Sequence, residues 1–188
     1  MNFWDKYQFY IYIALVALLT WWLQQIYEQQ QMDMKTAANS PDFFSLGYYK
    51  KEMDLDGQPK SELVADKMQH YKTDGNTHLE RPVMTLYNAN AAPWVIQSDS
   101  AIMAGDGDHL QMNGHAVINR EASEGGSALK VTTSDLQVTL SKNFAETSAW
   151  ADIVSPPNQT SGTGMEVTFV SPIHLKLLSS VKGRYEIK

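Results

Sequence analysis

From Phe43 onward, apolar and polar side chains alternate along the chain in short runs. Within HLQMNGHAVI, residues 109–118, the even-numbered positions Leu110, Met112, Ala116 and Ile118 are apolar. The same spacing of two recurs in Leu136, Val138 and Leu140 and in Ile173, Leu175 and Leu177, and near the end Val181, Tyr185 and Ile187 fall on one strand face. A period of two is typical of a strand with one buried face, and Gly-containing turn pairs such as Asp74-Gly75 and Asp106-Gly107 separate the runs. The pattern predicts an all-β, antiparallel domain over residues 42–188.

A weak internal repeat refines this prediction. Segments containing Asp66, Asp99 and Asp135 align at spacings of 33 and 36 residues, and each indicates a strand, a turn and a strand. The third segment lacks the turn glycine. A unit this small cannot bury an apolar face alone, so the copies must stack along an axis. We therefore expect an open, elongated sheet sandwich or jelly roll, not a compact barrel, with free strand edges at both ends where another chain can add a strand.

The segment before this domain has a different character. Residues 7–27, YQFYIYIALVALLTWWLQQIY, contain no charged residue, and as a helix they would reach about 30 Å, the thickness of a bilayer core. Aromatic residues flank the aliphatic centre, as at membrane interfaces. A cleaved signal peptide is the alternative, but the first small-residue cluster, at residues 36–38, comes late for a cleavage site. We favour a single-pass anchor at 7–27, with a cytoplasmic tip at 1–6 and a linker at 28–41.

Composition narrows the classes of function. The chain has no cysteine, which excludes disulfides and thiolate sites, and its formal net charge of −6 argues against nucleic acid as a partner. The C-terminal end is a local exception, because Lys182, Arg184 and Lys188 stand against Glu186.

Candidate catalytic and metal-binding residues give weak patterns. His109 and His115 share a strand face, but six residues of strand separate them by roughly 20 Å, too far for one metal ion. Asp106-Gly107-Asp108 fits an Asp-Gly hairpin better than a calcium loop, which needs a further carboxylate spacing and a distal glutamate. We predict no catalytic residue, no metal ion and no cofactor, and an anchored hydrolase is the least favoured class.

A binding function has more physical support. The inward side of the alternating strands would form either a filled core or an apolar trough, and a period of two does not distinguish them. The positions expected to line a trough are Leu79, Leu110, Met112, Val138, Leu140, Leu175, Leu177 and Tyr185.

The order of these features resembles a known family. A short tip, one span, a linker and an all-β domain are followed by segments that are suggestive together: SELVADKMQHY, LERPVMTLYN, WVIQSDSA, LQMNGHAV and GRYEI. They resemble the LptC family, the bitopic inner-membrane components of the lipopolysaccharide transport machinery. The resemblance runs from the anchor to Ile187. It implies an open jelly roll whose interior shelters lipopolysaccharide acyl chains in the periplasm, with no ATPase activity of its own.

The resemblance also implies partners. The transmembrane helix and the N-terminal edge would meet the LptB/LptF/LptG transporter, and the C-terminal edge strand would pass lipopolysaccharide to LptA. The docking positions it indicates are Phe43, Tyr48, Tyr49, Lys182, Arg184, Tyr185 and Ile187. One departure is Ser155-Pro156-Pro157, which replaces an expected turn glycine and predicts weak strand pairing there. The alternative function is an anchored adaptor that joins partners by strand addition and carries no lipid.

Overall fold

The computed structural model describes residues 12–25, 40–88, 91–123, 126–170 and 172–185. The chain divides into two units, residues 1–40 and 41–188. Within the second unit the described residues form ten strands, which are β1 (Phe43–Met53), β2 (Pro59–Tyr71), β3 (Asn76–Glu80), β4 (Val83–Asn88), β5 (Ala91–Met103), β6 (His109–Arg120), β7 (Leu129–Thr139), β8 (Phe144–Ser155), β9 (Asn158–Thr168) and β10 (His174–Arg184).

In the first unit, residues 12–25 form a helix, α1. Among the helices that the structure describes, none is both long and apolar enough to cross a membrane. The span predicted for residues 7–27 extends past α1 at both ends, and its first five and last two residues lie outside the described part of the chain. The same is true of the predicted tip, 1–6, and of the linker up to residue 39. The anchor therefore stays a prediction.

All ten strands belong to one antiparallel sheet, which confirms the predicted all-β class. The order is β1-β2-β3-β5-β6-β7-β8-β9-β10, and β4 also pairs between β2 and β5. Each of the two outermost strands has one neighbour in the described structure: β1 pairs with β2, and β10 pairs with β9. Both therefore have a free hydrogen-bonding edge.

The sheet bends along a row of backbone irregularities. The pairing register shifts in every ladder from β5/β6 to β9/β10. Residues with left-handed backbone lie close to these shifts, at Gly114 (φ 75°), Asp135 (φ 51°), Gly164 (φ 73°) and Ser180 (φ 52°). A β-bulge bends its strand and increases the local twist. Bulges on successive strands thus fold one sheet back on itself.

A contact between distant strands shows this folding. Trp94 in β5 and Phe169 after β9 pack edge to face with ring centroids 5.3 Å apart, and the Trp94 indole N–H donates to the Phe169 carbonyl at 3.1 Å. The two elements are not neighbours in the sheet, so its faces must approach each other here. Between them lies one continuous core, which includes Leu79, Leu110, Met112, Leu136 and Met165.

Two expectations about turns are resolved. Strands β8 and β9 pair from Ser155 opposite Asn158 to Phe144 opposite Thr168, so the expectation of weak pairing beside Pro156 and Pro157 was wrong. Both prolines lie in the turn itself, where no ladder N–H is required. In the third repeat, Asn143 adopts φ 48°, the left-handed conformation that the missing glycine would supply, because asparagine tolerates it better than most residues.

Candidate functional site

An open cleft of about 750 Å³, lined mainly by apolar side chains, lies on the inner side of the last strand. We call it the β10 cleft. It is lined by Arg120, Leu129, Ile153, Thr160, Ile173, Leu175, Leu177 and Val181. Its volume falls within the range of roughly 300–1,000 Å³ that is usual for ligand pockets.

The cleft is open along β10, the last strand of the sheet. Leu175 and Leu177 lie opposite Val167 and Met165 in the ladder with β9. Those two partners are fully buried, whereas Leu175 and Leu177 are only partly covered, and Val181 is 56% exposed. The apolar row on the inner face of β10 is thus only partly covered, which leaves it available to a ligand.

The eight predicted trough residues fall into three groups. Leu79, Leu110, Met112 and Val138 are at most 2% exposed and Leu140 is 9% exposed, so in this structure they lie in the closed core. Leu175 and Leu177 line the cleft.

Tyr185 forms the third group. It is 68% exposed at the end of the inward row of β10, and its ring lies against the backbone of Gly183. The Tyr185 hydroxyl is 3.4 Å from the Thr160 hydroxyl. Since Thr160 lines the cleft, Tyr185 stands beside its mouth and not within the core.

Five of the seven predicted docking residues lie on the two edge strands. On β1, Phe43 is half exposed and stacks on His70, with ring centroids 4.7 Å apart, and the exposed Tyr49 donates a hydrogen bond to Glu62 at 3.2 Å. Tyr48 packs against the core. On β10, Lys182 and Arg184 are exposed, while Ile187 lies outside the described residues.

Arg120 is a cleft residue that sequence reasoning missed. Its guanidinium carbon lies 4.8 Å from the ring centroid of Trp94, in cation–π geometry. Nη2 donates to the carbonyl of Ser127 at 3.1 Å, and the buried Nε–H has no acceptor among the described residues. A lone arginine at a strand end carries no motif, so no sequence signal indicated it.

The turn between β5 and β6 holds the acidic segment considered for calcium. Asp106 accepts hydrogen bonds from the backbone N–H groups of Asp108 and His109, and His109 Nδ1 lies 2.7 Å from its Oδ2. These interactions, the Asp108 bond first, lower the pKa of Asp106 from 3.8 to about 2. The carboxylate is thus used in closing a hairpin. In the part of the chain that the structure describes, no group of three or more metal-ligating side chains comes together.

The fold and the cleft define a class: an open all-β sheet with an apolar cleft against a free edge strand. Among solved structures, the chain is similar to the crystal structure of LptH from Pseudomonas aeruginosa, described as the LptA-homologous periplasmic component of the conserved lipopolysaccharide transport device. The TM-score is 0.54 at 10% identity, covering 68% of this chain and 95% of that one, which shows a shared fold. A search of curated proteins gave no match.

Within this class, the chain belongs to the LptC family. The family model, described as lipopolysaccharide-assembly, LptC-related, matches residues 9–186. Membership confirms the resemblance seen in the sequence. It also makes the chain a component of lipopolysaccharide transport and not an enzyme.

Proposed function

We propose that this chain carries lipopolysaccharide across the periplasm with the acyl chains held in the β10 cleft. The observation that supports this most directly is a cleft of about 750 Å³, lined mainly by apolar side chains along an edge strand, in a chain of a lipopolysaccharide-assembly family. The contacts we assign to the lipid are Leu175, Leu177 and Val181. Leu79, Leu110, Met112, Val138 and Leu140 support this surface from the closed core, and Tyr185 flanks the mouth.

The charge of the protein favours binding through the lipid tail. With a net charge of −6, the chain as a whole repels an anionic headgroup. Burial of acyl chains contributes about 0.8 kcal/mol per methylene group, so a few buried methylenes outweigh weak repulsion across solvent. The cleft therefore acts as a shelter for hydrocarbon, while the sugars stay in water.

The anchor and the partners complete the proposal. Residues 7–27 hold the chain in the inner membrane with the N-terminus in the cytoplasm and contact the LptB/LptF/LptG transporter. Lipopolysaccharide arrives at the β1 end, where Phe43 and Tyr49 expose aromatic surface. It leaves at β10, where LptA pairs with the free edge beside Lys182 and Arg184. The free edges of β1 and β10 support this arrangement because strand addition needs unpaired backbone groups.

Site-specific photo-crosslinking tests the lipid contact. The full chain, purified in mild detergent, would carry a photoreactive residue at position 175 or 181, with position 137 on the outer face of β7 as the matched control. We expect lipopolysaccharide to attach at 175 and 181 and not at 137, which is exposed to solvent. Absence of attachment at both cleft positions, in a chain with an unchanged unfolding transition, would contradict a lipid route through the cleft.

The adaptor without a lipid remains the second candidate. It is favoured by one observation, namely that five of the eight predicted trough positions are buried in the core. A photoreactive residue at Lys182 separates the two functions. Attachment of LptA at 182 without attachment of lipopolysaccharide at 175 or 181 would establish the adaptor.

A further inference from the structure

We infer that Arg120 binds a phosphate group of the lipid headgroup at the mouth of the β10 cleft. This assignment rests on the proposed function, since it concerns the same ligand in the same cleft. It adds the residue that holds the phosphorylated headgroup while the acyl chains lie in the cleft.

The first support is the position of the guanidinium. Arg120 lines the same cleft as Leu129, Leu175 and Val181, so a cation stands beside an apolar surface. An amphiphile with an anionic head matches both parts of such a site. An uncharged hydrocarbon would offer the guanidinium neither a negative charge nor a hydrogen-bond acceptor.

The second support is the way the side chain is held. The guanidinium lies over Trp94, which is fully buried and fixed by its own hydrogen bond to Phe169. A bond from Nη2 to the Ser127 carbonyl restrains it further. A cation fixed in this way loses little side-chain entropy on binding, which favours recognition of a planar or tetrahedral oxyanion.

The third support is unused hydrogen-bonding capacity. A guanidinium has five N–H donors, and for Arg120 the described residues supply one acceptor, at Ser127. The Nε–H is buried and closed to a ligand, so the donors left for one are on the two terminal nitrogens, and the side chain forms no ion pair with any described carboxylate. Phosphate oxygens accept charge-assisted hydrogen bonds from such N–H groups.

The test compares two lipids and three proteins. The full chain with a photoreactive residue at position 175 would be titrated with intact lipopolysaccharide and with lipopolysaccharide from which the lipid A phosphates have been removed. The variants are Arg120→Met, which keeps an apolar stem over Trp94, and Lys130→Gln. Lys130 follows Leu129 on the opposite, exposed face of β7, so its loss removes the same charge outside the cleft. Thermal unfolding checks that each variant is folded.

We expect Arg120→Met to raise the half-saturating concentration of intact lipopolysaccharide by about tenfold or more, because a charge-assisted hydrogen bond is lost. The dephosphorylated lipid should bind the wild type and Arg120→Met equally, and Lys130→Gln should behave as the wild type with both lipids. An equal loss with both lipids would overturn the assignment and leave Arg120 a packing role, while the proposed function would stand.

Two further outcomes have separate meanings. No attachment of either lipid to the wild type would overturn the lipid route and this assignment together. The other outcome is that the protein binds inorganic phosphate saturably and neither lipid through its phosphates, with Arg120→Met abolishing phosphate binding. That result would overturn the assignment to a lipid headgroup and show that the guanidinium binds free phosphate.

Discussion

Asp99 and Gly114 approach each other across the bend of the sheet. The Asp99 carboxylate accepts a hydrogen bond from the backbone N–H of His115 at 2.8 Å, and a Cβ placed on Gly114 would lie 2.5 Å from the same carboxylate oxygen. Gly114 N–H itself donates to Asp135 at 3.1 Å. Asp99 and Asp135, on which the second and third repeats align, thus accept hydrogen bonds from the two backbone N–H groups at the bulge in β6.

Gly114→Ala should therefore be strongly destabilising. Gly114 has φ 75°, which costs an L-residue about 1 kcal/mol, and the collision with Asp99 adds about 1–3 kcal/mol. We expect the free energy of unfolding, from urea denaturation, to fall by about 2–4 kcal/mol. Gly107→Ala is the matched control, because Gly107 has φ 69° with no atom near the added Cβ. Equal losses in both variants would show that the Asp99 collision does not matter.

Asn143 occupies the left-handed turn position of the third repeat, where the other two repeats have glycine. Asn143→Gly should leave stability unchanged or raise it by about 0.5–1 kcal/mol, because glycine adopts φ 48° without strain. Asn119→Gly, at a position of β6 that pairs in register with Val95 and Lys130, should instead lower stability by about 0.5–1 kcal/mol. Chemical denaturation of both variants measures the difference. The same sign for the two substitutions would refute the role of Asn143 as the replacement for a turn glycine.

The division between core and cleft can be tested by truncation. Leu79→Ala removes a side chain that is 2% exposed and should cost about 2–5 kcal/mol of unfolding free energy. Val181→Ala, in the open cleft, should change stability by about 0.5 kcal/mol or less and yet weaken lipopolysaccharide capture at position 175. Urea denaturation and crosslink yield give the two readouts. A large stability loss in Val181→Ala would mean that the cleft is part of the core.

The depressed pKa of Asp106 predicts a pH dependence. Because the folded-state pKa is about 2 and the ordinary value is 3.8, ionised Asp106 stabilises the fold fully above about pH 4 and progressively less as the pH falls toward 2. Asp106→Asn keeps an acceptor oxygen and removes the charge. We expect its urea midpoint to lie below that of the wild type at pH 7, with the two midpoints converging between pH 4 and 2. A difference independent of pH would assign the effect to geometry alone.

The sequence allowed us to predict which face of each strand is buried, but not where the sheet bends. Leu110, Met112 and Ile118 are buried as their spacing of two indicates, since alternation reports which side of a strand is apolar. Periodicity carries no information on how far a sheet folds over. The left-handed conformations of Asp135 and Ser180 could not be foreseen, because they depend on pairing with the neighbouring strands.

The candidate site was predictable only in part. Leu175 and Leu177 line the cleft, whereas Leu79 and Met112 carry the same alternation and lie in the core. The difference is set by distance from the edge of the sheet, which is a property of the topology. The guanidinium of Arg120 is held at the cleft by stacking over Trp94, which is 26 positions earlier in the chain. Only the folded sheet brings these two residues together.

Strand β10 provides both the wall of the cleft and a free edge, and this double use affects how its mutants must be interpreted. A defect in β10 would reduce ligand capture and partner pairing together, so an overall transport assay could not separate the two. The two tasks nevertheless use different atoms, because the cleft uses side chains such as Leu175 and Val181 while strand pairing uses backbone N–H and C=O groups. Truncating side chains of β10 would therefore impair capture of the lipid and leave partner pairing intact. N-methylation of its backbone would do the reverse, so the two steps can be disabled one at a time.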